Sequence, residues 1–180
     1  VGSLARGLIA LVSYLQNSRA SAGLDGADQM ITILFTVLFL AYAIGDPTAE
    51  RYALYFIAFQ ASLAYLAAGL SKFYSVKWRK EPMLAGILSS ETYGTRSVSE
   101  WLSLHPTVDI IITRFTFIYE ILFPVALILP PSFCLMVIFC AGIFHASTAI
   151  VMGLNTFFWA FLATYPAVFF VNQDIRLLHS

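Results

Sequence analysis

Three residues able to carry out acid–base chemistry lie within or at the end of strongly apolar stretches of this sequence. Lys72 ends one such run, Glu120 lies near the middle of another, and His145 lies in a third. Ionisable side chains are costly inside a lipid bilayer, so each needs a partner or a function. We interpret Lys72 as a candidate reactive lysine at the mouth of a membrane-embedded site, with Glu120 and His145 as its candidate intramembrane partners.

Each of these residues also has a structural interpretation. A protonated Glu120 could simply be hydrogen-bonded, and His145 could donate to a backbone carbonyl, which we favour over metal ligation. Gln60 could hydrogen-bond between helices, while Lys72 and Trp78 could anchor a helix at the membrane surface. The similar depths that helix counting assigns to Gln60, Glu120 and His145 instead favour a shared site. The sequence predicts no metal site.

A stripe of small and polar residues leads towards Lys72 at helical spacing. Small residues let helices approach closely in lipid, and residues eleven apart lie within about 20° on one helical face. We therefore expect Gln60, Ser71 and Trp78 to border a cavity whose mouth lies beside Lys72. The stripe consists of Gln60, Ala64, Ala67, Ala68 and Ser71.

The composition indicates a polytopic membrane protein. Charged residues make up 11% of the chain and the mean hydropathy is +0.80, whereas soluble domains carry about 25% charged residues. The formal net charge is zero, so nothing favours a nucleic-acid partner. The two cysteines, Cys134 and Cys140, lie six positions apart in one apolar run, so on a helix they point apart and cannot form a disulfide.

Five apolar segments approach the roughly 20 residues that span a bilayer. The predicted fold is an all-α integral membrane protein, a bundle of five transmembrane helices in a single domain covering residues 1–180. A shorter run at 8–15 is interpreted as the tail of a truncated helix, with a short interfacial helix as the alternative. The five helices are placed near residues 29–44, 51–72, 107–129, 132–153 and 156–171.

The long connection over residues 73–106 should contain short interfacial helices. Pro82 is suited to a first helical position, because its missing N–H would be unpaired there in any case. Ser97 and Glu100 form the pattern of a capping box ahead of a second short helix. Trp78 and Trp101 should then lie near the lipid headgroups.

Four segments resemble, in order, the vitamin K-dependent γ-carboxylase-like proteins, also called horizontally transferred transmembrane domain proteins. The resemblance extends from about Asn17 onward, although the early helices of that family have no counterpart. Its most specific element is the spacing of Gln60, Gly69 and Lys72, followed by Trp78. The four segments are GLDGADQMI, FQASLAYLAAGLSKFYSVKW, YEILFPVALILP and HASTAIVMGLNTFFWAFLATYP.

The resemblance implies a role for Lys72. In the carboxylase, a lysine at the end of this helix is the proposed base that deprotonates reduced vitamin K. The oxygenated cofactor then removes a γ-proton from a substrate glutamate, to which CO2 adds. Lys72 matches that lysine by position, and an amine acts as a base only in its neutral form, which desolvation favours. The carboxylase has two lysines where this chain has Ser71 and Lys72, and its lumenal region and propeptide-binding surface are absent here.

Three hypotheses follow. The favoured one is a noncatalytic accessory or structural subunit of a larger membrane complex, because the parts that would enclose a substrate are absent. The first alternative is a membrane-embedded enzyme, or its catalytic half, that uses reduced vitamin K or another quinol. The second is a pigment- or haem-binding subunit with His145 as axial ligand. Expected partners are lipid and other transmembrane subunits, in a bacterial inner membrane or an equivalent energy-transducing membrane or endomembrane.

Overall fold

The fold is a bundle of helices, seen in a computed structural model that describes residues 7–8, 11–12, 26–91 and 94–178. These described residues form helices, turns and loops and no strand, so the all-α prediction is confirmed. The run at 8–15 lies mostly outside them, and its assignment stays a prediction. The helices are α1 (Gly26–Ile44), α2 (Pro47–Tyr74), α3 (Val76–Lys80), α4 (Leu84–Leu88), α5 (Arg96–Leu104), α6 (Pro106–Leu122), a 3-10 helix (Phe123–Leu127), α7 (Pro131–Met152), α8 (Asn155–Leu162) and α9 (Tyr165–Leu177).

Four of the described helical stretches are long and apolar enough to cross a membrane. They are α1, α2, the combined stretch Pro106–Leu127, and α7. The fifth predicted span is instead divided between α8 and α9. Pro166 causes the break, because it has no N–H and its ring clashes with the carbonyl group four residues earlier. The sequence therefore predicted four of these spans, but the single helix over 156–171 is wrong.

Local sequence signals fix the ends of the long helices. Asp46 caps α2, since its Oδ1 accepts a hydrogen bond of 2.8 Å from the Thr48 backbone N–H, and Pro47 takes the first helical position. Gly153 ends α7 with φ +73°, a left-handed conformation that glycine adopts without a steric penalty. Pro124 follows Phe123, where the α-helix tightens into the 3-10 turn.

The described part of the long connection, which excludes residues 92–93, contains three short helices, and two of the predicted helix starts are wrong. Pro82 precedes α4 rather than beginning it, because α4 begins at Leu84. The helix α5 begins at Arg96 with Thr95 at its N-cap, so Ser97 is not the cap. Glu100 accepts a hydrogen bond of 2.9 Å from Arg96 Nε on the exposed face of α5.

The helix α2 is the central element of the bundle and contacts α1, α6 and α9. Its buried face carries mostly small residues, so the neighbouring helices approach its backbone closely. The closest approach is at Gly69, where an added Cβ would lie 2.7 Å from the Ile121 backbone nitrogen and 2.9 Å from Glu120 Cβ. Glycine at this position therefore permits the packing of α6 on α2.

We expect Gly69→Ala to destabilise the protein by about 1–3 kcal/mol, the usual cost of overpacking, because a backbone atom of α6 would have to move. Thermal unfolding in detergent micelles measures the effect. The matched control is Gly142→Ala in α7, where an added Cβ meets nothing within 4 Å. Equal stability of the two variants would contradict the close approach.

Candidate functional site

Lys72 and Glu120 form an ion pair between α2 and α6. The Lys72 Nζ donates to both carboxyl oxygens of Glu120, at 2.8 Å to Oε1 and 2.7 Å to Oε2. The Glu120 side chain is 7% exposed and that of Lys72 is 21% exposed. This pair unites two residues that the sequence singled out separately.

The packing at Gly69 explains why the pair forms. It places Glu120 against the last turns of α2, one turn before Lys72. The Lys72 chain then reaches back along its own helix, and its Nζ lies 3.5 Å from the Ala68 carbonyl oxygen. Trp78, on α3, completes the surroundings, because its ring centroid lies 5.5 Å from Nζ, within the range of a cation–π contact.

The pair borders a cavity of about 340 Å³ between the helices. Its walls are mostly apolar and aromatic, and its polar side chains are few. Thr116 and Thr148 turn their hydroxyl groups to backbone carbonyls of their own helices. The lining residues are Ala64, Tyr65, Ala68, Lys72, Trp78, Leu84, Ile87, Thr116, Glu120, Phe144, His145, Thr148, Met152, Leu154, Phe157 and Phe161.

His145 lines the same cavity but is packed tightly. Its ring is stacked on Phe161 with centroids 4.5 Å apart and meets the edge of Tyr65 at 5.7 Å. The Nε2 atom is enclosed and has no hydrogen-bond partner among the described residues. A macrocycle could not reach this nitrogen without displacing its neighbours, which argues against axial ligation by Nε2. The described residues also hold no group of three or more His, Cys, Asp or Glu placed for a metal ion.

Two expected cavity residues lie elsewhere. Gln60 is half-buried and does not line the cavity. Because Glu120 packs at Gly69, it lies nine residues along α2 from Gln60, roughly 14 Å at helical rise, so the expectation of a shared depth is wrong. Ser71 is exposed and its hydroxyl donates to the Ala68 carbonyl oxygen at 2.8 Å, so it does not border the cavity either.

The sequence did not single out Tyr65, which lines the cavity, or Asp109, which holds the neighbouring helix α4. Tyr65 stacks on Phe123 with centroids 3.9 Å apart, and its hydroxyl lies 2.9 Å from that of Tyr165. Asp109, at the start of α6, is fully buried and hydrogen-bonded to the long connection. An aspartate in the first turn of a helix is common, so nothing in the sequence distinguishes this one.

The arrangement suits proton transfer to or from a hydroxyl group in an apolar cavity. As an ion pair, Lys72 offers donors and Glu120 offers acceptors. If one proton moves within the pair, the amine becomes the acceptor and the carboxylic acid the donor. Both forms therefore present a donor and an acceptor to the cavity, where exclusion of water strengthens electrostatic interactions.

The fold and the pair define an all-α membrane protein with an ionisable site between its helices. A family model described as the HTTM domain matches residues 32–174, most of the chain. The chain therefore belongs to the HTTM-domain family, the domain associated with vitamin K-dependent γ-carboxylase-like proteins. No curated protein and no solved structure matches it.

A double-mutant cycle should show that the pair is coupled. We expect Lys72→Met alone to cost about 3 kcal/mol, because it leaves a buried carboxyl without its partner. The double variant Lys72→Met/Glu120→Met should cost at least about 1 kcal/mol less than the sum of the single changes. Denaturant unfolding in micelles measures all three.

The control for this cycle is the Arg96–Glu100 pair on α5, whose side chains are 91% and 64% exposed. Its coupling should be close to zero, because water screens exposed pairs. Similar coupling in the two cycles would mean that the Lys72–Glu120 contact has no special stability.

Proposed function

We propose that this protein binds a flat, largely apolar ring molecule with an ionisable hydroxyl group, of the quinol type, and that the Lys72–Glu120 pair accepts the hydroxyl proton. The observation that carries the proposal is an ion pair that borders a mostly apolar cavity. Such a cavity with a few convergent polar groups is the usual form of a small-molecule site.

The lining residues fit a ring of this kind. The volume of about 340 Å³ lies at the lower end of the roughly 300–1,000 Å³ of typical ligand sites. Tyr65, Trp78 and Phe157 provide aromatic walls for a planar molecule, while the polar pair provides one reactive end. A bound quinol would supply an acidic hydroxyl group and, once deprotonated, an electron-rich ring.

In this proposal the proton acceptor is the pair rather than Lys72 alone. An ammonium group held by a carboxylate has no lone pair to offer, so in the ion-pair form Glu120 is the acceptor. Lys72 then stabilises the negative charge that develops on the ring oxygen. Lys72 becomes the base only after its proton has moved to Glu120. Both side chains are therefore required, in either order of transfer.

The accessory-subunit hypothesis makes a different demand on the same residues. A subunit that serves only for assembly needs the pair for packing, and it needs no ligand in the cavity. Exposed apolar residues on the helices are compatible with lipid and with partner subunits alike, so they do not favour either hypothesis. Measurements of ligand binding and of proton transfer therefore distinguish the accessory-subunit hypothesis from the proposed function.

The test uses the protein in lipid nanodiscs and a nitronaphthol probe whose absorbance reports deprotonation, at a pH where the free probe is protonated. Wild type should bind the probe and shift its spectrum to that of the anion. Lys72→Met and Glu120→Gln should each abolish the shift, because each removes half of the acceptor system. The matched control is Lys77→Met, which changes an exposed lysine on the following helix, α3, and should behave as wild type.

Lys72→Arg decides which group takes the proton. A guanidinium group cannot serve as a base, so a retained shift assigns the acceptor to Glu120, and a lost shift with retained binding assigns it to Lys72. Failure of wild type to bind the probe would overturn the proposal. If Lys72→Met and Glu120→Gln both keep the wild-type spectral shift, the pair does not accept the proton and the proposal is also overturned. Absence of probe binding to wild type is the outcome that the accessory-subunit hypothesis expects.

A further inference from the structure

The carboxyl group of Asp109 holds part of the long connection against α6. Its Oδ1 accepts hydrogen bonds from the Leu84 backbone N–H at 3.0 Å and from Thr113 Oγ1 at 2.9 Å. Its Oδ2 accepts from the Ala85 backbone N–H at 2.7 Å. The residue is fully buried, so these three bonds replace its contacts with water.

The segment held in this way, α4, forms a wall of the cavity. Leu84 and Ile87 line the cavity beside the Lys72–Glu120 pair. Leu84 and Leu88 also line a second apolar space of about 480 Å³, between α4, α5, α6 and α7. The helix α4 therefore contributes side chains both to the cavity and to this adjoining groove.

The position of α4 depends on contacts from outside it. A helix of five residues is too short to be stable in isolation. The side chain of its N-cap residue, Met83, makes no capping hydrogen bond. The Asp109 carboxyl group, on α6, accepts the hydrogen bonds of the first backbone N–H groups instead. Ser99 on α5 provides a further tie, since its hydroxyl donates to the Ala85 carbonyl oxygen at 2.8 Å.

Asp109 and Glu120 lie on the same face of one helix. They are eleven residues apart on α6, which places them within about 20° of each other around the axis. The helix α6 thus carries both Glu120, the partner of Lys72, and Asp109, which holds α4 in place. A fixed α6 sets both the reactive end of the cavity and one of its sides.

We propose that Asp109 is a positioning residue that holds α4 as the closed wall of the cavity and so controls how long a bound ring is retained. This inference rests on the proposed function, because it assigns Asp109 to the same site. Without the two bonds to the α4 backbone, Leu84 and Ile87 would no longer be fixed against the ligand, and the cavity would join the adjoining groove.

The experiment compares Asp109→Ala, Asp109→Asn and wild type in nanodiscs by two measurements. Amide hydrogen exchange over Leu84–Leu88 should rise about tenfold or more in Asp109→Ala, because two backbone N–H groups lose a strong acceptor. The dissociation rate of the nitronaphthol probe should rise by a similar factor. Asp109→Asn keeps one carbonyl oxygen and should give intermediate values. The spectral shift of the bound probe should stay, because Lys72 and Glu120 are unchanged.

The matched control is Ser103→Ala, which removes a hydroxyl bond to the Ser99 carbonyl oxygen on the exposed side of the same connection. It should leave both measurements unchanged. If the probe leaves Asp109→Ala at the wild-type rate, or if exchange rises equally in α2 and α7, the positioning role is overturned while the proposed function stands. If wild type binds no probe, the proposed function fails first and this inference fails with it.

Discussion

The ion pair between Lys72 and Glu120 is the constraint on which the rest of the structure depends. Two charges can be taken out of water only if they hold each other in good geometry, and removal of either leaves the other uncompensated. This geometry requires α2 and α6 to lie in near backbone contact, and Gly69 permits that approach. Glycine at position 69 of α2 therefore allows Glu120 of α6 to reach Lys72.

A second carboxyl group fixes the opposite end of α2. Asp174, on α9, accepts hydrogen bonds from Arg51 Nε at 2.7 Å and from the Tyr55 hydroxyl at 2.8 Å. The central helix is thus held near each end by an acid on a different neighbour. These directional polar contacts add to the close packing of α2 against α6 and α9.

The same physics governs the cavity. Polar groups in an apolar enclosure interact strongly and have few competing partners, so a small number of them suffices to orient a ligand. Asp109 extends this principle to the backbone, because it supplies acceptors to a short helix that could not form alone. Acidic side chains thus hold one wall of the cavity and supply the carboxylate of the ion pair that borders it.

The sequence by itself determined the fold class and the positions of most apolar helices. It also singled out Lys72, Glu120, Trp78 and His145 as candidate site residues, because ionisable and polar groups in or beside apolar runs are costly and therefore conspicuous. These four residues line one cavity.

Only the tertiary structure decided which groups meet. Residue counting gives the depth of a side chain along its own helix, but neighbouring helices tilt and shift relative to one another by amounts that one apolar run does not encode. The sequence therefore predicts Gln60 at the depth of Glu120, whereas the residue of α2 that contacts Glu120 is Gly69. The contacts of Asp109 with α4 were hidden for the same reason, since two of its three hydrogen-bond donors are backbone N–H groups 25 and 24 residues away in the chain.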